Sequence, residues 1–382
     1  MKILIFSLEQ GALGGIASVN ATLKSALEKR GNTVSQLFFR RAKGARDLSG
    51  TVIRTIPWQF PEGRAIKEAL RKGKVVSALR LGFGRLIALC RRALDNRRAA
   101  RWIRREDPDA ILVTHYLLLD AICRTHLNRT FLHVHTSFSA AVAVKKGEEV
   151  MRRYCGKIAF LWLSQATANQ AIRAGFFPSF YSYNPLPFEQ TAPVCAEEHR
   201  DVVVICRFSE EKRLPLAVSL LKKAMERCKD RPFRVLFYGE GPEKEALCRA
   251  VAGDDRFLVM PRTDRVRETL ETARFIVNTS SFEGFSMSIL EGACVGVPAV
   301  SFVFGEAAAE EILDKQTGLL VPMDDTEAYL EALEEIICSD DLCRALSRGA
   351  YAHATRFQAD AIALRLEEIL SRAPLDKAQK TE

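Results

Sequence analysis

The sequence lacks several features that would each place it in a known class. No apolar run reaches the ~20 residues that a membrane-spanning helix needs. Its ten cysteines include no C-x-x-C pair and no Cys/His cluster with zinc spacing, so we expect reduced thiols rather than a disulfide framework or a zinc site. Neither G-x-G-x-x-G nor G-x-x-x-x-G-K-[ST] occurs, which argues against a NAD-binding domain and a P-loop.

Length and composition are those of an ordinary globular protein with more than one core. The chain has 382 residues, of which 48% are hydrophobic and 27% charged, so we expect two domains. The apolar run Met1–Phe6 is followed at once by polar residues. It is too short for the core of a signal peptide and fits a first buried strand. These features predict a cytoplasmic protein.

Positive charge is concentrated in residues 64–105, which we call the basic block. It holds 14 Lys and Arg against two acids, a local charge of +12 in a chain whose net charge is +9. Such a block indicates an anionic partner, either a membrane surface or a nucleic acid. Phe83 and Trp102 are its only aromatic residues, a poor platform for stacking bases. We therefore predict no nucleic-acid partner. Two interpretations remain: a solvated helix face, or an anionic membrane surface, which would place the protein on the inner face of the cytoplasmic membrane.

Strands and helices alternate in a first series that opens as a β-α-β unit, which implies a parallel sheet. Its strands are predicted at 2–7, 33–39, 110–114, 130–135 and 158–163. Helices are predicted at 16–30, which ends at Gly31, and at 164–174, capped by Gly175. The basic block also has helical spacing of its apolar residues, with breaks suggested by Gly73, Gly82 and Gly84.

A second series follows a linker over Asn184–Arg200. Its strands are predicted at 202–205, 234–238, 257–259, 275–278 and 299–302. Two such units predict an α/β protein with two Rossmann-like, doubly wound domains (1–187 and 188–355) facing a central cleft. A C-terminal helix and tail (356–382) is predicted to cross back to the first domain. Ligands in such sheets bind at the carboxyl ends of the strands.

Two loops at these strand ends have the residues to bind an anion. The loop Gly11–Gly15 precedes a helix, where glycines let backbone amides approach a phosphate, although a tight turn explains it equally well. Arg207 and Lys212 follow the first strand of the second series and can converge on a diphosphate. Taken alone, that pair is more typical of a solvated charged loop than of a binding site.

The segment Asn278–Pro298 gives the strongest signal in the sequence. A strand ends, a turn carries Glu283, and a helix begins near Ser286, whose free amides can take a phosphate. Glu291 lies eight residues after Glu283 among apolar neighbours, where an unpaired charge is costly. These carboxylates can accept hydrogen bonds from ribose and sugar hydroxyls, and we interpret the segment as a functional site rather than as surface charge.

His135 is the remaining candidate site residue. It closes the strand predicted at 130–135, so its side chain is expected at the cleft. A hydrogen-bonded histidine at a strand end is an equally good interpretation of this position alone.

In this order, the segments resemble the retaining glycosyltransferases of family 4, which have the GT-B fold. The elements that carry the resemblance are Gly14-Gly15, His135, Arg207 with Lys212, Gly239-Glu240-Gly241-Pro242, Glu283-Gly284-Phe285 with Glu291, and Thr317-Gly318-Leu319-Leu320-Val321-Pro322. The resemblance covers most of residues 1–355 and is weakest from about 40 to 108. Gly292-Ala293-Cys294 and Asn184-Pro185 depart from the usual family residues.

The resemblance implies roles for the candidate site residues in transfer from a nucleotide sugar with retention of configuration; by family frequency, UDP is favoured over GDP as the nucleotide. Arg207 and Lys212 would neutralise the diphosphate leaving group, and Glu291 would hold the ribose. Glu283 and the amides of Phe285 and Ser286 would position the donor sugar and its phosphate. The glycines at 14, 15 and 284 (Gly14, Gly15 and Gly284) would let the backbone approach the donor. His135 would contact the donor sugar from the other lobe. The resemblance implies no metal and no cofactor, and an α-linked product.

Two other functions remain open at this point. A non-hydrolysing sugar-nucleotide epimerase has the same two lobes but needs no acceptor. A basic nucleic-acid-binding protein would use the basic block. For the transferase, an acceptor among envelope polysaccharides, lipopolysaccharide or lipid-linked glycans fits best, and the donor sugar is not determined by the sequence.

Overall fold

A computed structural model describes residues 1–10, 15–41, 50–54, 71–72, 75–190, 192–194 and 196–372. The first lobe contains a seven-stranded parallel sheet with strand order β3-β2-β1-β4-β5-β6-β7. Its strands are β1 (Lys2–Gln10), β2 (Thr33–Arg41), β3 (Thr51–Arg54), β4 (Ala110–Val113), β5 (Thr130–His133), β6 (Ala159–Trp162) and β7 (Ser179–Tyr181). The helices described for this lobe are α1 (Gly15–Lys29), α2 (Val75–Glu106), α3 (Phe138–Ala143), α4 (Lys145–Tyr154) and α5 (Gln165–Arg173).

The second lobe contains a six-stranded parallel sheet with strand order β10-β9-β8-β11-β12-β13. Its strands are β8 (Asp201–Ile205), β9 (Arg234–Tyr238), β10 (Phe257–Met260), β11 (Ala273–Asn278), β12 (Ala299–Phe302) and β13 (Gly318–Val321). Its helices are α6 (Leu214–Arg227), α7 (Lys244–Val251), α8 (Val266–Leu270), α9 (Met287–Val295), α10 (Ala308–Glu311), α11 (Thr326–Cys338) and α12 (Asp340–Ala354).

The central strands of both sheets are buried along their whole length. β4 and β5 in the first lobe and β11 and β12 in the second have no exposed residue. Parallel sheets are covered by helices on both faces, so their strands are continuously apolar rather than alternating. The predicted fold class, α/β with two Rossmann-like parallel sheets, is confirmed.

The chain passes between the lobes at two adjacent places. Leu186 N–H donates to the Phe357 carbonyl (2.8 Å), which ties the linker to the segment after α12. The last helix, α13 (Ala359–Leu370), then packs on α1 of the first lobe, where Arg30 Nε lies 2.7 Å from Glu367 Oε2. The domain boundaries at 187/188 and 355/356 stay predictions.

The structure differs from the sequence predictions at several elements. The breaks expected at Gly82 and Gly84 are wrong, because α2 runs through both; a glycine costs about 1 kcal/mol against alanine in a helix and need not end it. Gly73 lies outside the described residues. The strand predicted to end at His135 ends at His133. Within the described part of the chain, no helix has both the length and the apolar content to span a bilayer.

Candidate active site

The two lobes meet where Gly284, just after β11, lies against the segment that follows β5. A Cβ atom on Gly284 would lie 2.6 Å from Thr136 Cα and 2.8 Å from Thr136 N. Real Cβ atoms do not approach backbone this closely, so only glycine fits here without moving one lobe. The contact brings His135 and Glu283, predicted from distant parts of the sequence, to the same part of the cleft.

Glu283 is held by two side chains of the second lobe. Lys212 Nζ lies 2.9 Å from Glu283 Oε2, and the Ser280 hydroxyl donates to Glu283 Oε1 (2.8 Å). Both charged side chains are largely buried, with 16% and 13% of their surface exposed. Burial lowers the pKa of Lys212, but the Glu283 carboxylate outweighs it and the net pKa is raised. Lys212 therefore stays a cation, and Glu283 is its counter-ion in the absence of a donor.

Arg207 occupies the loop after β8 and is exposed. Gly239 and Gly241 lie directly against the backbone of this loop. A Cβ on Gly239 would lie 2.0 Å from the Cys206 carbonyl oxygen, and a Cβ on Gly241 would lie 2.1 Å from the Phe208 carbonyl oxygen. The glycines of the G-x-G-P element therefore allow a backbone contact that fixes the Arg207 loop. The role of Arg207 in binding a diphosphate stays a prediction.

Glu291 lies on α9, partly exposed among apolar residues. Burial raises the pKa of Glu291 to about 7, and no cation or hydrogen-bond donor among the described residues contributes an opposing shift. Carboxylates whose pKa is strongly shifted by desolvation cluster at functional sites. This carboxylate has acceptor capacity that the described residues leave unused.

The raised pKa of Glu291 predicts a pH-dependent stability. A folded-state pKa above the unfolded value means that the protein loses stability as pH rises from about 4.5 to 7. Glu291→Gln is therefore expected to raise the free energy of unfolding by about 2 kcal/mol at pH 8, allowing for partial exposure, and to leave it nearly unchanged at pH 4.5. Urea denaturation at the two pH values measures this; an equal change at both would contradict it.

The amide of Ser286, expected to be free for a phosphate, is already occupied. Ser286 N–H donates to both carboxylate oxygens of Glu311 (2.9 and 3.0 Å). Glu311 is buried, and burial raises its pKa well above the usual range. The expectation of a free Ser286 amide is wrong for this structure because a carboxylate from α10 caps the start of α9, which begins at Met287.

Half-buried His135 lies beside a second, buried histidine, His133, with ring centroids 4.0 Å apart. The Nε2 atoms of both rings are buried and have no hydrogen-bond partner among the described residues. Burial lowers the pKa of His135 to about 4. Burial, together with repulsion from the neighbouring His135 ring when that ring is protonated, lowers the pKa of His133 well below its usual range. His135 is therefore neutral at physiological pH, able to make a hydrogen bond but not to supply a positive charge.

Of the two glycines of the first loop that are predicted to bind the donor, Gly14 lies outside the described residues. Gly15 is the first residue of α1. A Cβ on Gly15 would lie 3.3 Å from Met287 Cγ at the start of α9, so this end of the glycine loop lies next to the turn that carries Glu283. Phe285 is buried and packs against Tyr183, with ring centroids 5.8 Å apart.

Two residues of this site were not predicted from the sequence: Ser280, which donates to Glu283, and Glu311, which accepts from Ser286. Ser280 stands in the predicted turn, where serine is common. Glu311 follows three alanines and Glu310, a pattern typical of an exposed helix, so the sequence offers no sign of its burial. In the described ranges, no cluster of three or more His, Cys, Asp or Glu side chains is arranged to hold a metal ion.

Comparison with known proteins gives a family match in the second lobe. Residues 199–339 match the family model described as glycosyl transferases group 1. An exopolysaccharide phosphotransferase of Streptomyces coelicolor is 25% identical over 292 residues, 73% of this chain and 30% of that protein. A poly(ribitol-phosphate) alpha-N-acetylglucosaminyltransferase of Staphylococcus aureus is 21% identical over 217 residues, 55% of this chain and 44% of that protein. The chain spans between 30% and 38% of the length of the first curated relatives it matches.

Solved structures share the fold over nearly the whole chain. A Staphylococcus aureus TarM variant, in complex with fondaparinux, alpha-GlcNAc-glycerol and UDP, has a TM-score of 0.72 at 12% identity, covering 97% of this chain and 99% of that one. Anabaena HepE in complex with UDP-glucose has a TM-score of 0.70 at 16% identity, with coverage of 97% and 99%. The lipopolysaccharide outer core galactosyltransferase WaaB has a TM-score of 0.69 at 15% identity, with coverage of 97% and 100%.

These likenesses, with the two facing parallel sheets, define the GT-B fold. Within this fold, residues 199–339 of the second lobe are similar to the glycosyl transferases group 1 family.

Proposed function

We propose that the protein is a retaining glycosyltransferase. It moves a hexose or N-acetylhexosamine from a nucleotide sugar, most simply a UDP-sugar, to an envelope polysaccharide, lipopolysaccharide or lipid-linked glycan and forms an α-glycosidic bond. The observation that carries the proposal is the arrangement of Glu283, paired with Lys212, and Glu291, left uncompensated, on one turn and helix at the carboxyl end of β11. Such strand ends are where parallel α/β sheets bind ligands.

The described contacts support a separate task for each side chain. Lys212 and Arg207 neutralise the diphosphate as the bond between the sugar C1 and the β-phosphate oxygen breaks; a preorganised cation is most effective in a partly dry cleft. Glu291 accepts from the ribose hydroxyls. Glu283 orients the donor sugar, and neutral His135 offers a hydrogen bond from the first lobe. The acceptor oxygen bonds to C1 and its proton passes to the departing phosphate, so the proposal needs no metal or other cofactor.

The test is a panel of UDP- and GDP-sugars offered with and without glycan acceptors. The proposal expects nucleotide release that depends on the acceptor, with a product whose anomeric proton shows the α configuration by NMR. A changed sugar nucleotide in reactions with donor alone would instead identify an epimerase. A shift of random RNA or DNA in a gel would support the nucleic-acid-binding alternative.

The outer face of α2 supports the predicted membrane partner. In its first half, this face exposes apolar side chains at helical spacing, with Leu79 and Phe83 exposed by 69% and 66%. Exposed arginines follow on the same side in the second half, opposite buried Ala99 and Ile103. Amphipathic helices with apolar and basic residues bind at the surface of anionic bilayers. We infer that α2 places the protein on the inner face of the cytoplasmic membrane.

This inference predicts salt-sensitive binding to vesicles of anionic lipid through α2. Glutamine at Arg91, Arg97, Arg101 and Arg104, all exposed, is expected to weaken binding at least tenfold, at about 1 kcal/mol for each charge near the surface. Arg92 is kept because it donates to the Leu117 carbonyl (3.2 Å).

The matched control removes four exposed charges from the second lobe, at Lys223, Lys229, Arg249 and Arg265. Vesicle co-sedimentation measures the binding. An equal loss of vesicle binding in the two variants would show a nonspecific effect of charge and contradict docking through α2.

A further inference from the structure

The short helix α10 carries two adjacent glutamates whose carboxylates bind different lobes. Glu311 accepts the Ser286 amide at the start of α9, three residues after Glu283. Glu310 is directed to the first lobe, where its carboxylate accepts two backbone amides of α5. The same four-residue helix therefore contacts both the Glu283 turn and the opposite side of the cleft.

Glu310 satisfies groups that α5 cannot satisfy alone. The first amides of a helix have no partner within it. Ser164, the N-cap of α5, accepts the Thr167 amide through its side chain. The amides of Gln165 and Ala166 donate instead to Glu310 Oε2 and Oε1, at 3.1 and 2.7 Å. A carboxylate at this position is also stabilised by the positive end of the helix dipole.

Tyr183, at the junction between the lobes, is a third donor to Glu310. Its hydroxyl lies 2.7 Å from Glu310 Oε2, and burial together with this carboxylate raises the pKa of Tyr183. The Glu310 backbone is also held by α12, because His353 Nε2 on that helix lies 2.9 Å from the Glu310 carbonyl oxygen. Glu310 thus joins α5, the segment between β7 and the linker, and α12.

We propose that Glu310 is a positioning residue that latches the two lobes together. Separating the lobes withdraws its carboxylate from the α5 amides and moves Gly284 away from Thr136, so His135 no longer lies over the Glu283 turn. The contact of Glu311 with Ser286 lies within the second lobe and survives such an opening. The catalytic consequence rests on the proposed function, whereas the latch itself does not.

The latch is tested in the free protein by hydrogen exchange of the peptide that contains Gln165 and Ala166. Glu310→Ala is expected to speed exchange of these amides at least tenfold, while the Ser286 amide keeps its protection. Glu310→Gln retains a carbonyl acceptor and should fall between wild type and Glu310→Ala. The control is Glu331→Ala, which removes an exposed glutamate of α11. Unchanged exchange at Gln165 and Ala166 in a folded Glu310→Ala protein would overturn the latch.

The positioning role is tested by separating binding from turnover. The UDP contacts proposed for Lys212, Arg207 and Glu291 lie in the second lobe, so Glu310→Ala is expected to change the Kd for UDP less than twofold and to lower kcat about 10- to 100-fold, with partial recovery in Glu310→Gln. A parallel loss of UDP affinity and kcat would indicate general damage and overturn the positioning role. If the wild-type protein transfers no sugar, the proposed function fails, and the exchange result alone still decides the latch.

Discussion

Replacing Glu283 with glutamine is expected to lower turnover about 100- to 1,000-fold while UDP affinity is kept or rises, a loss typical of removing one preorganised polar group from a catalytic site. Glutamine keeps the shape and the contact with Ser280 but removes the counter-ion of Lys212. Lys212 then becomes a largely buried cation without a carboxylate partner, and the diphosphate of UDP is the anion that can replace it.

The matched control for this experiment is Glu327→Gln. Glu327 also forms an ion pair, with Arg227 at 2.7 Å, but the pair is exposed on the second lobe, and exposed pairs contribute little. Steady-state kinetics give kcat, and calorimetric titration gives the Kd for UDP. A Glu283→Gln protein with full turnover, or one that loses UDP affinity and turnover together, would contradict the role of Glu283.

Replacing Glu291 with alanine is expected to weaken UDP binding about 10- to 100-fold, the value of one or two hydrogen bonds to a charged acceptor. The pKa of about 7 adds a pH dependence to this effect. Only the ionised carboxylate accepts from both ribose hydroxyls, so wild-type affinity for UDP should fall about tenfold for each pH unit below 7. In Glu291→Gln this dependence should disappear.

The control variant for Glu291 is Glu334→Gln, which changes a glutamate of α11 whose side chain is 44% exposed. Calorimetric titration with UDP from pH 5.5 to 8.5 measures the profile. If Glu291→Ala and Glu283→Ala lose UDP affinity equally, the division between a nucleotide role and a sugar role is wrong. A wild-type affinity that does not vary with pH would separately contradict the proposed ionisation of Glu291.

Much of the fold followed from local patterns. The apolar run at 110–113 and the run at 299–302, which is interrupted by Ser301, predict buried parallel strands, and each is buried throughout. Edge strands were harder: β7 has three half-buried residues and no apolar run, so nothing marked it as a strand. Gly82 and Gly84 suggested breaks that α2 does not have, since helix propensity is a weak local preference that neighbouring residues override.

For the candidate site, the sequence placed the residues but not their partners. Position after a strand was enough to locate Glu283 near the contact between the lobes, whereas the positions of Glu291 and Arg207 at the cleft stay predictions. The pairing of Lys212 with Glu283 and the capping of Ser286 by Glu311 depend on how separate loops pack, which no local pattern encodes. These contacts set which charges are already balanced before a donor binds.

The central claim is that the cleft binds a nucleotide sugar through the Glu283 turn and Glu291. Thermal unfolding with saturating UDP- and GDP-sugars tests it most directly, because a ligand that binds only the folded state raises Tm by mass action. The account predicts that at least one UDP-sugar raises the Tm of the wild-type protein and that Glu291→Ala removes most of this increase. No change in Tm with any nucleotide sugar, or an equal increase in both proteins, would contradict it.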